Sequence, residues 1–345
     1  MAKGYTLSSS EDIVQIGRTF ADDNLDNFFC GVCPGFDLAW DADGVDTTTY
    51  HIASFDNSLQ KGNGFQWRPG QDRPGRASLT KIDVTVTPQG YSTLTLGRST
   101  KRTRAHIYED LEANIIPILY SQMYQICDKA IVAYLTNASN FGQITLTGTG
   151  VLDQFGADTE PMWNILNQMI APLRKYALSR PKAGVEMWVE NHVLDIFASH
   201  FGFQGAGAAY ANTTPAGVAL SAGAMVQRRQ GLISMLEANL GVRVVSKNAT
   251  GDTAALGLTS APAEIGLGLC WVGVVDRSAD GVDLSSSSLK PDGALQLGWG
   301  SRPNIETWVA AGSKMEDFAG DLAFDVVSPR GSSWGFLIPV AQLIT

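Results

Sequence analysis

The stretch that most limits what this chain can become is RAHIYEDLEANIIPILYSQMYQICDKAIVAYLTN, from Arg104 to Asn137. Apolar residues recur at Ile107, Leu111, Ile115, Ile118, Met123, Ile126, Ala130 and Tyr134. That spacing places them on one face of a long helix. Glu109 and Asp110 fall in its first turns, where a helix N-terminus favours negative charge. At 1.5 Å per residue such a helix is roughly 50 Å long, more than one small domain needs to cover its core. The stretch therefore predicts a rod on which other elements hang. Pro117 removes one backbone hydrogen bond and crowds the preceding turn. A kink over Asn114–Pro117, or two helices meeting there, is expected.

Upstream of the rod the pattern is β. TTTYHIASF reads as one strand, and SLTKIDVTVTPQGYSTLTLG reads as a hairpin turning at Pro88-Gln89-Gly90. Between them QKGNGFQWRPGQDRPGRAS has no period and carries Trp67, Arg68, Arg73 and Arg76. A structureless loop of that length is unusual in a compact domain and is often functional. Arg98, Lys101, Arg102 and Arg104 form a basic junction before the rod, either a solvated corner or a contact for an acidic neighbour. Residues 1–45 read as an extended arm with one short helix, opened by Ser8 and Glu11 at capping-box spacing; the alternative is an ordinary helix lying on the core.

Downstream, a second helix is expected from about Asp158, with Pro161 near its start and Pro172 as an interruption. VEMWVE is a buried-type strand, NHVLDIFASHF a short helix, and residues 202–224 an Ala/Gly-rich loop. A helix over roughly Val226–Asn239 is closed by Gly241. GVRVVS, LGLCWVGVVDR and NIETWVAAG are strands, with DLAFDVVSP and WGFLIPVAQLI as further candidates.

No familiar chemistry is assembled in these residues. Cys30-Gly-Val-Cys33 has dithiol spacing, but Pro34-Gly35 follows directly and no βαβ unit surrounds it. Cys127 and Cys270 lie in apolar elements and read as core. Asp41-Ala-Asp43-Gly44 begins like a calcium loop, yet the twelfth position is Ile52 rather than Glu. His192 and His200 lack the four-residue spacing of a helical zinc pair. No catalytic, cofactor-binding or metal-ligating residue is singled out, and no cofactor is implied. The net charge of −9 over 345 residues argues against a dedicated nucleic-acid binder. It is compatible with a container whose inner wall must avoid sticking to its contents. No apolar run is long enough to span a membrane.

The order of arm, long basic loop, hairpin, very long helix and then an α/β region with Gly-rich loops resembles the major capsid proteins of tailed bacteriophages. The resemblance rests on TKIDVTVTPQGYSTLTLGRSTKRTRAHIYEDLEANIIPILYSQMYQICDKAIVAYLTN, on VEMWVENHVLDIFASHF, and on LEANLGVRVVS with LCWVGVVDR. It implies an α+β, Hong Kong-97-type phage capsid fold with N-terminal arm, extended loop, peripheral domain with long spine helix, and axial domain. Residues 1–45 would be the arm, 46–80 the extended loop, 81–140 the peripheral domain with the spine helix, and 141–300 the axial domain. Residues 301–345 would be C-terminal strands that the resemblance does not place. The implied function is a structural, non-enzymatic shell subunit that self-assembles into hexamers and pentamers around double-stranded DNA. The implied location is the virion capsid, after synthesis in the host cytoplasm. Implied partners are copies of the chain, a separate scaffolding protein, a portal and a decoration protein, with only weak non-specific DNA contact and no membrane. Trp67, Arg68, Arg73, Arg76, Arg98, Lys101, Arg102 and Arg104 are the candidate inter-subunit contacts. A nanocompartment shell of the encapsulin kind, or an α/β enzyme with an unrecognised site, are the alternatives.

Overall fold

The computed structural model describes residues 19, 23–38, 46–55, 77–97, 105–143, 162–178, 180, 182–191, 193–194, 222–247, 269–308 and 315–338. In chain order the elements are α1 (Phe29–Val32), β1 (Gly35–Asp37), β2 (Asp46–Phe55), β3 (Ala77–Gly97), α2 (Ala105–Thr136), β4 (Gly142–Gln143) and α3 (Met162–Ala177). They continue with β5 (Ala183–Glu190), α4 (Ala222–Leu240), β6 (Arg243–Lys247), β7 (Cys270–Asp276), β8 (Val282–Asp283), β9 (Gln296–Trp308), β10 (Met315–Val327) and β11 (Gly335–Leu337). A six-stranded sheet has the order β2-β3-β10-β9-β1-β8, and a five-stranded sheet the order β4-β11-β7-β5-β6.

The rod is one helix of 32 residues, about 48 Å long, and it runs unbroken through Pro117. Two helices meeting at Pro117 is therefore not what forms. The buried stripe is also rotated from the expected one. Ile116, Leu119, Tyr120, Met123, Tyr124, Cys127, Ile131 and Leu135 are buried, while Ile118, Ile126, Ala130 and Tyr134 are only half-buried. Apolar side chains occur nearly all round this helix, so periodicity alone did not fix which of them face inward.

The expected hairpin turn at Pro88-Gln89-Gly90 does not occur. β3 runs straight through it as one strand of 21 residues. Its first half pairs antiparallel with β2, from Phe55↔Ala77 to Asp46↔Val86. Its second half pairs antiparallel with β10, from Phe324↔Thr87 to Met315↔Gly97, with Pro88 opposite Ala323. The turn signal loses because the partner of Tyr91–Gly97 comes from more than 200 residues away, and proline's fixed φ is compatible with an extended strand.

Residues beyond 300 find their places in both sheets. β9 and β10 form the centre of the six-stranded sheet, and β11 pairs with β7 in the other. The boundary expected at residue 300 falls inside β9. Residues 23–38 of the expected extended arm are tucked into the molecule instead. Phe29, Cys30, Cys33 and Phe36 are buried, and β1 pairs parallel with β9 and β8. The short helix expected around residues 8–16, the loop of residues 56–76, and the Ala/Gly-rich stretch 202–221 lie outside the described residues.

β5 and β7 are buried along almost their whole length, as a strand covered on both faces must be. α2 lies against β9 and β10, and its stripe shares one hydrophobic cluster with Trp188, Trp271, Leu322 and Phe324 of the two sheets. Alternation along β10 sends Ala323 and Val327 to a second, smaller cluster with Phe36, Tyr50, Ile52, Val84 and Val86. The C-terminal end of α4 is closed as expected. Gly241 has φ +58° and donates its N–H to the Glu237 carbonyl.

Trp271 is fitted closely enough to give a quantitative test. A Cβ placed on Gly273 would come within 2.2 Å of its ring, whereas one on Gly184 would meet nothing within 4 Å. Gly273→Ala is expected to cost about 1–3 kcal/mol by overpacking. Gly184→Ala is expected to stay within about 0.5 kcal/mol of wild type. Urea unfolding of both variants checks the contrast.

Candidate functional site

Three buried carboxylates hold the joints between elements. The first is Asp128, on the inward side of α2 and only 3% exposed. Its Oδ2 accepts the N–H of Phe29 at 3.0 Å and its Oδ1 the N–H of Cys30 at 2.8 Å. Those are orphan donors at the start of α1, so one side chain of the rod caps a helix of the arm. Burial pushes the Asp128 carboxyl up to about 7, although both N–H bonds pull the other way. Around it, Phe28 tilts onto Tyr124 with ring centroids 5.3 Å apart, and Phe29 stacks on Trp188 at 5.5 Å.

Glu186 of β5 is the second. Arg277, just beyond β7, grips it with Nε at 2.9 Å from Oε1 and Nη2 at 3.0 Å from Oε2. The same guanidinium donates to the Val32 carbonyl of the arm at 2.9 Å. The Trp188 indole N–H also donates to Glu186, at 3.0 Å.

Asp292 is the third, 2% exposed. Arg330 binds it in a two-pronged fork, Nε to Oδ1 and Nη2 to Oδ2, both at 2.7 Å. Arg180, beyond α3, contacts Asp292 as well and reaches Asp276 at 3.4 Å. Arg330 further donates to the Ala53 carbonyl of β2 at 3.0 Å, which ties the outer strand of the six-stranded sheet to this joint. Trp334 stacks on Tyr176 at 5.1 Å, with the guanidinium groups of Arg180 and Arg330 over its ring at 5.9 and 5.1 Å. Gln296 bridges the carbonyls of Asp276 and Asp292 with its side-chain N–H₂.

A cleft of about 510 Å³ opens between the arm, α4 and β6, lined by residues that include Asp26, Glu237, Arg243, Lys247 and Arg277. Its charged side chains already hold other partners: Lys247 donates to the Asp26 backbone carbonyl, Glu237 accepts the Val244 backbone N–H at 3.2 Å, and Arg277 binds Glu186. All four cysteines are reduced and buried. Burial pushes the Cys30, Cys33 and Cys270 thiols well above the ordinary range, which suppresses thiolate chemistry. Among the described residues no group of three or more His, Cys, Asp or Glu could hold a metal ion.

Trp67, Arg68, Arg73, Arg76, Arg98, Lys101, Arg102 and Arg104 all lie outside the described residues. The structure brings together instead Asp128, Glu186 and Asp292 with Arg180, Arg277 and Arg330, which sequence reading did not select. A lone Asp inside an apolar helical stripe, and a Glu inside the buried run VEMWVE, were the available signals. A charged residue in such a context is either paired or functional.

No protein-family model matches the sequence, and no curated protein matches it. Among solved structures the chain is similar to a phage-related protein from Bordetella bronchiseptica RB50. The TM-score is 0.57 at 12% identity, covering 96% of this chain and 97% of that one. It also matches the mature capsid of bacteriophage PhiM1, with TM-score 0.46, 11% identity, and coverage of 98% and 89%. A third match is a virus-like particle from Pyrococcus furiosus, with TM-score 0.45, 9% identity, and coverage of 94% and 98%. The first likeness spans both chains almost end to end. The α+β fold implied by the Hong Kong-97-type resemblance is the fold this chain has.

The Asp292 joint yields a stability test. Removing one partner of a buried ion pair strands the other charge, so Asp292→Ala is expected to cost about 3–5 kcal/mol in urea unfolding. Adding Arg330→Met to that variant is expected to recover part of the loss, since fewer buried cations are then left unpaired.

Proposed function

We propose that this chain is the major subunit of an icosahedral phage capsid, built from hexamers and pentamers of itself around double-stranded DNA. The end-to-end likeness to a phage-related protein supports the fold on which this reading stands. The observation that carries the reading beyond the fold is the β2–β3 ribbon. Among the described residues β2 is an outer strand of its sheet. Thr47, Thr49, His51 and Ala53 are exposed along it, and Leu79 opposite Ala53 is 69% exposed. An outer strand of ten residues with an apolar side chain in water invites cover from another chain. A neighbouring copy supplies that cover in a shell.

In this reading residues 46–80 are the extended loop that overlaps a neighbour. Trp67, Arg68, Arg73 and Arg76 meet an acidic surface there, and Arg98, Lys101, Arg102 and Arg104 make a second basic contact. Each such contact contributes about 0–1 kcal/mol, weak enough to be corrected during assembly. A closed lattice sums many of them. A separate scaffolding protein, a portal and a decoration protein are the proposed partners, the finished location is the virion, and DNA is contacted only weakly. The reading assigns the chain no enzymatic role.

Electron microscopy of the purified protein tests this. Closed shells of uniform diameter are expected, with or without a co-expressed scaffold. A monodisperse monomer under every salt and scaffold condition would refute the proposal. Charge reversal of Arg68, Arg73 and Arg76 to Glu is expected to abolish shells while leaving the thermal midpoint of the unassembled subunit within about 2 °C of wild type.

A further inference from the structure

Among the described residues four large apolar side chains are exposed: Leu79, Tyr176, Leu178 and Leu289. Single exposed apolar residues are ordinary on a protein surface. Three of these four, however, gather around one ring. Tyr176 stacks on Trp334. Leu178 lies between Tyr176 and Arg180 in the chain, and the Arg180 guanidinium also sits over Trp334. Arg330 covers the same ring and donates to the Ala53 carbonyl of β2, and Leu79 is paired opposite Ala53. A strip of surface therefore runs from the end of α3 over Trp334 onto the outer strand of the six-stranded sheet.

The strip is ordered before anything binds to it. Trp334 is buried, and the side chain of Arg330 is 11% exposed and anchored on buried Asp292, as is Arg180. Tryptophan, tyrosine and arginine already held by packing and ion pairs lose little conformational entropy on association, and these are the residue types of binding hot spots. The charge left around the strip has one sign. The two guanidinium groups are matched from within by Asp292 and Asp276. Lys175 and Lys182 bracket the Tyr176–Arg180 segment, are exposed, and make no ion pair among the described residues. A second copy of the chain, with its net charge of −9, offers them the opposite sign.

We propose that this strip is a contact between copies: a neighbouring subunit seats an apolar surface with an acidic rim on it, with Tyr176 and Leu178 as the anchors and Lys175 and Lys182 at the edge. Continuity with β2 selects a copy as the occupant. Among the described residues β2 has a neighbouring strand on one side only. A subunit that covers its other side runs directly onto Arg330 and Trp334, because Arg330 holds the Ala53 carbonyl. The choice of a copy rests on the capsid reading. The contact adds to the basic segments proposed for the interface a foothold of a different kind. Its apolar anchors keep their strength in salt, whereas exposed ion pairs are screened.

Assembly of the full chain tests it. Leu178→Asp is expected to raise at least about tenfold the subunit concentration at which shells form, in low and high salt alike. The thermal midpoint of the unassembled variant is expected to stay within about 2 °C of wild type, since Leu178 is 86% exposed. Lys182→Glu is expected to weaken assembly in the same direction, and less so in high salt. Hydroxyl-radical footprinting of the wild-type protein needs no variant: oxidation of Tyr176 and Leu178 is expected to fall at least about threefold from subunit to shell, as water is excluded. If Leu178→Asp does not fold, the footprint decides. Shells from Leu178→Asp at the wild-type concentration, or unchanged oxidation of both residues, overturn this contact and leave the capsid reading intact. Wild-type protein that never forms shells overturns the capsid reading and this contact with it.

Discussion

Packing of the C-terminal half of α2 against both sheets at once is the interaction on which the remaining structure depends. Met123, Cys127, Ile131 and Leu135 are fully buried, and they share one cluster with side chains of β5, β7, β9 and β10. A line of aromatic rings runs through that cluster. Phe29 stacks on Trp188, Trp188 meets Trp271 edge-on at 6.5 Å, Trp271 meets Phe141 at 5.3 Å, and Phe141 meets Tyr134 at 6.1 Å. It begins in the arm, crosses the five-stranded sheet and ends on the rod. Each such burial stabilises by about 1.5–3 kcal/mol, and edge-to-face pairs add about 0.5–1.5 kcal/mol. Two sheets that share no strand are thereby held to one helix.

The polar joints work differently. Asp128, Glu186 and Asp292 each connect segments far apart in sequence: arm to rod, arm to β5 and β7, and β2 to the C-terminal segment. Such groups add little net stability over apolar packing, because desolvation offsets most of their attraction. What they add is direction. An apolar contact tolerates sliding, whereas a two-pronged guanidinium on a buried carboxylate accepts one geometry. The bond from Arg330 to the Ala53 carbonyl fixes where β2 leaves the body, and that strand is the base of the segment proposed to reach a neighbour.

The outward features fit the same division. Leu178, just past α3, is 86% exposed beside the Tyr176–Trp334 stack, and Leu79 stands in water on the β2–β3 ribbon. The chain spends its large apolar residues on the rod and the inner strands. Among the described residues β2 has a neighbouring strand on one side only, and several side chains of the β2–β3 ribbon are exposed.

By itself the sequence determined the elements whose signals are local. The rod followed from apolar spacing, the end of α4 from Gly241, and the buried strands β5 and β7 from short runs that are mostly apolar. The strand texture around Thr47–Phe55 was equally plain. Only the tertiary structure decided that Pro88–Gly90 continues a strand, because the ladder it joins is supplied by residues 315–324. It also decided which side of α2 faces inward, since two layers press on a helix that is apolar nearly all round. The arm's docking on Asp128 lay beyond local reading for the same reason. A carboxylate's partner 98 residues away leaves no trace in either segment alone, because hydrogen bonds and burial are set by neighbours in space, while periodicity records only neighbours along the chain.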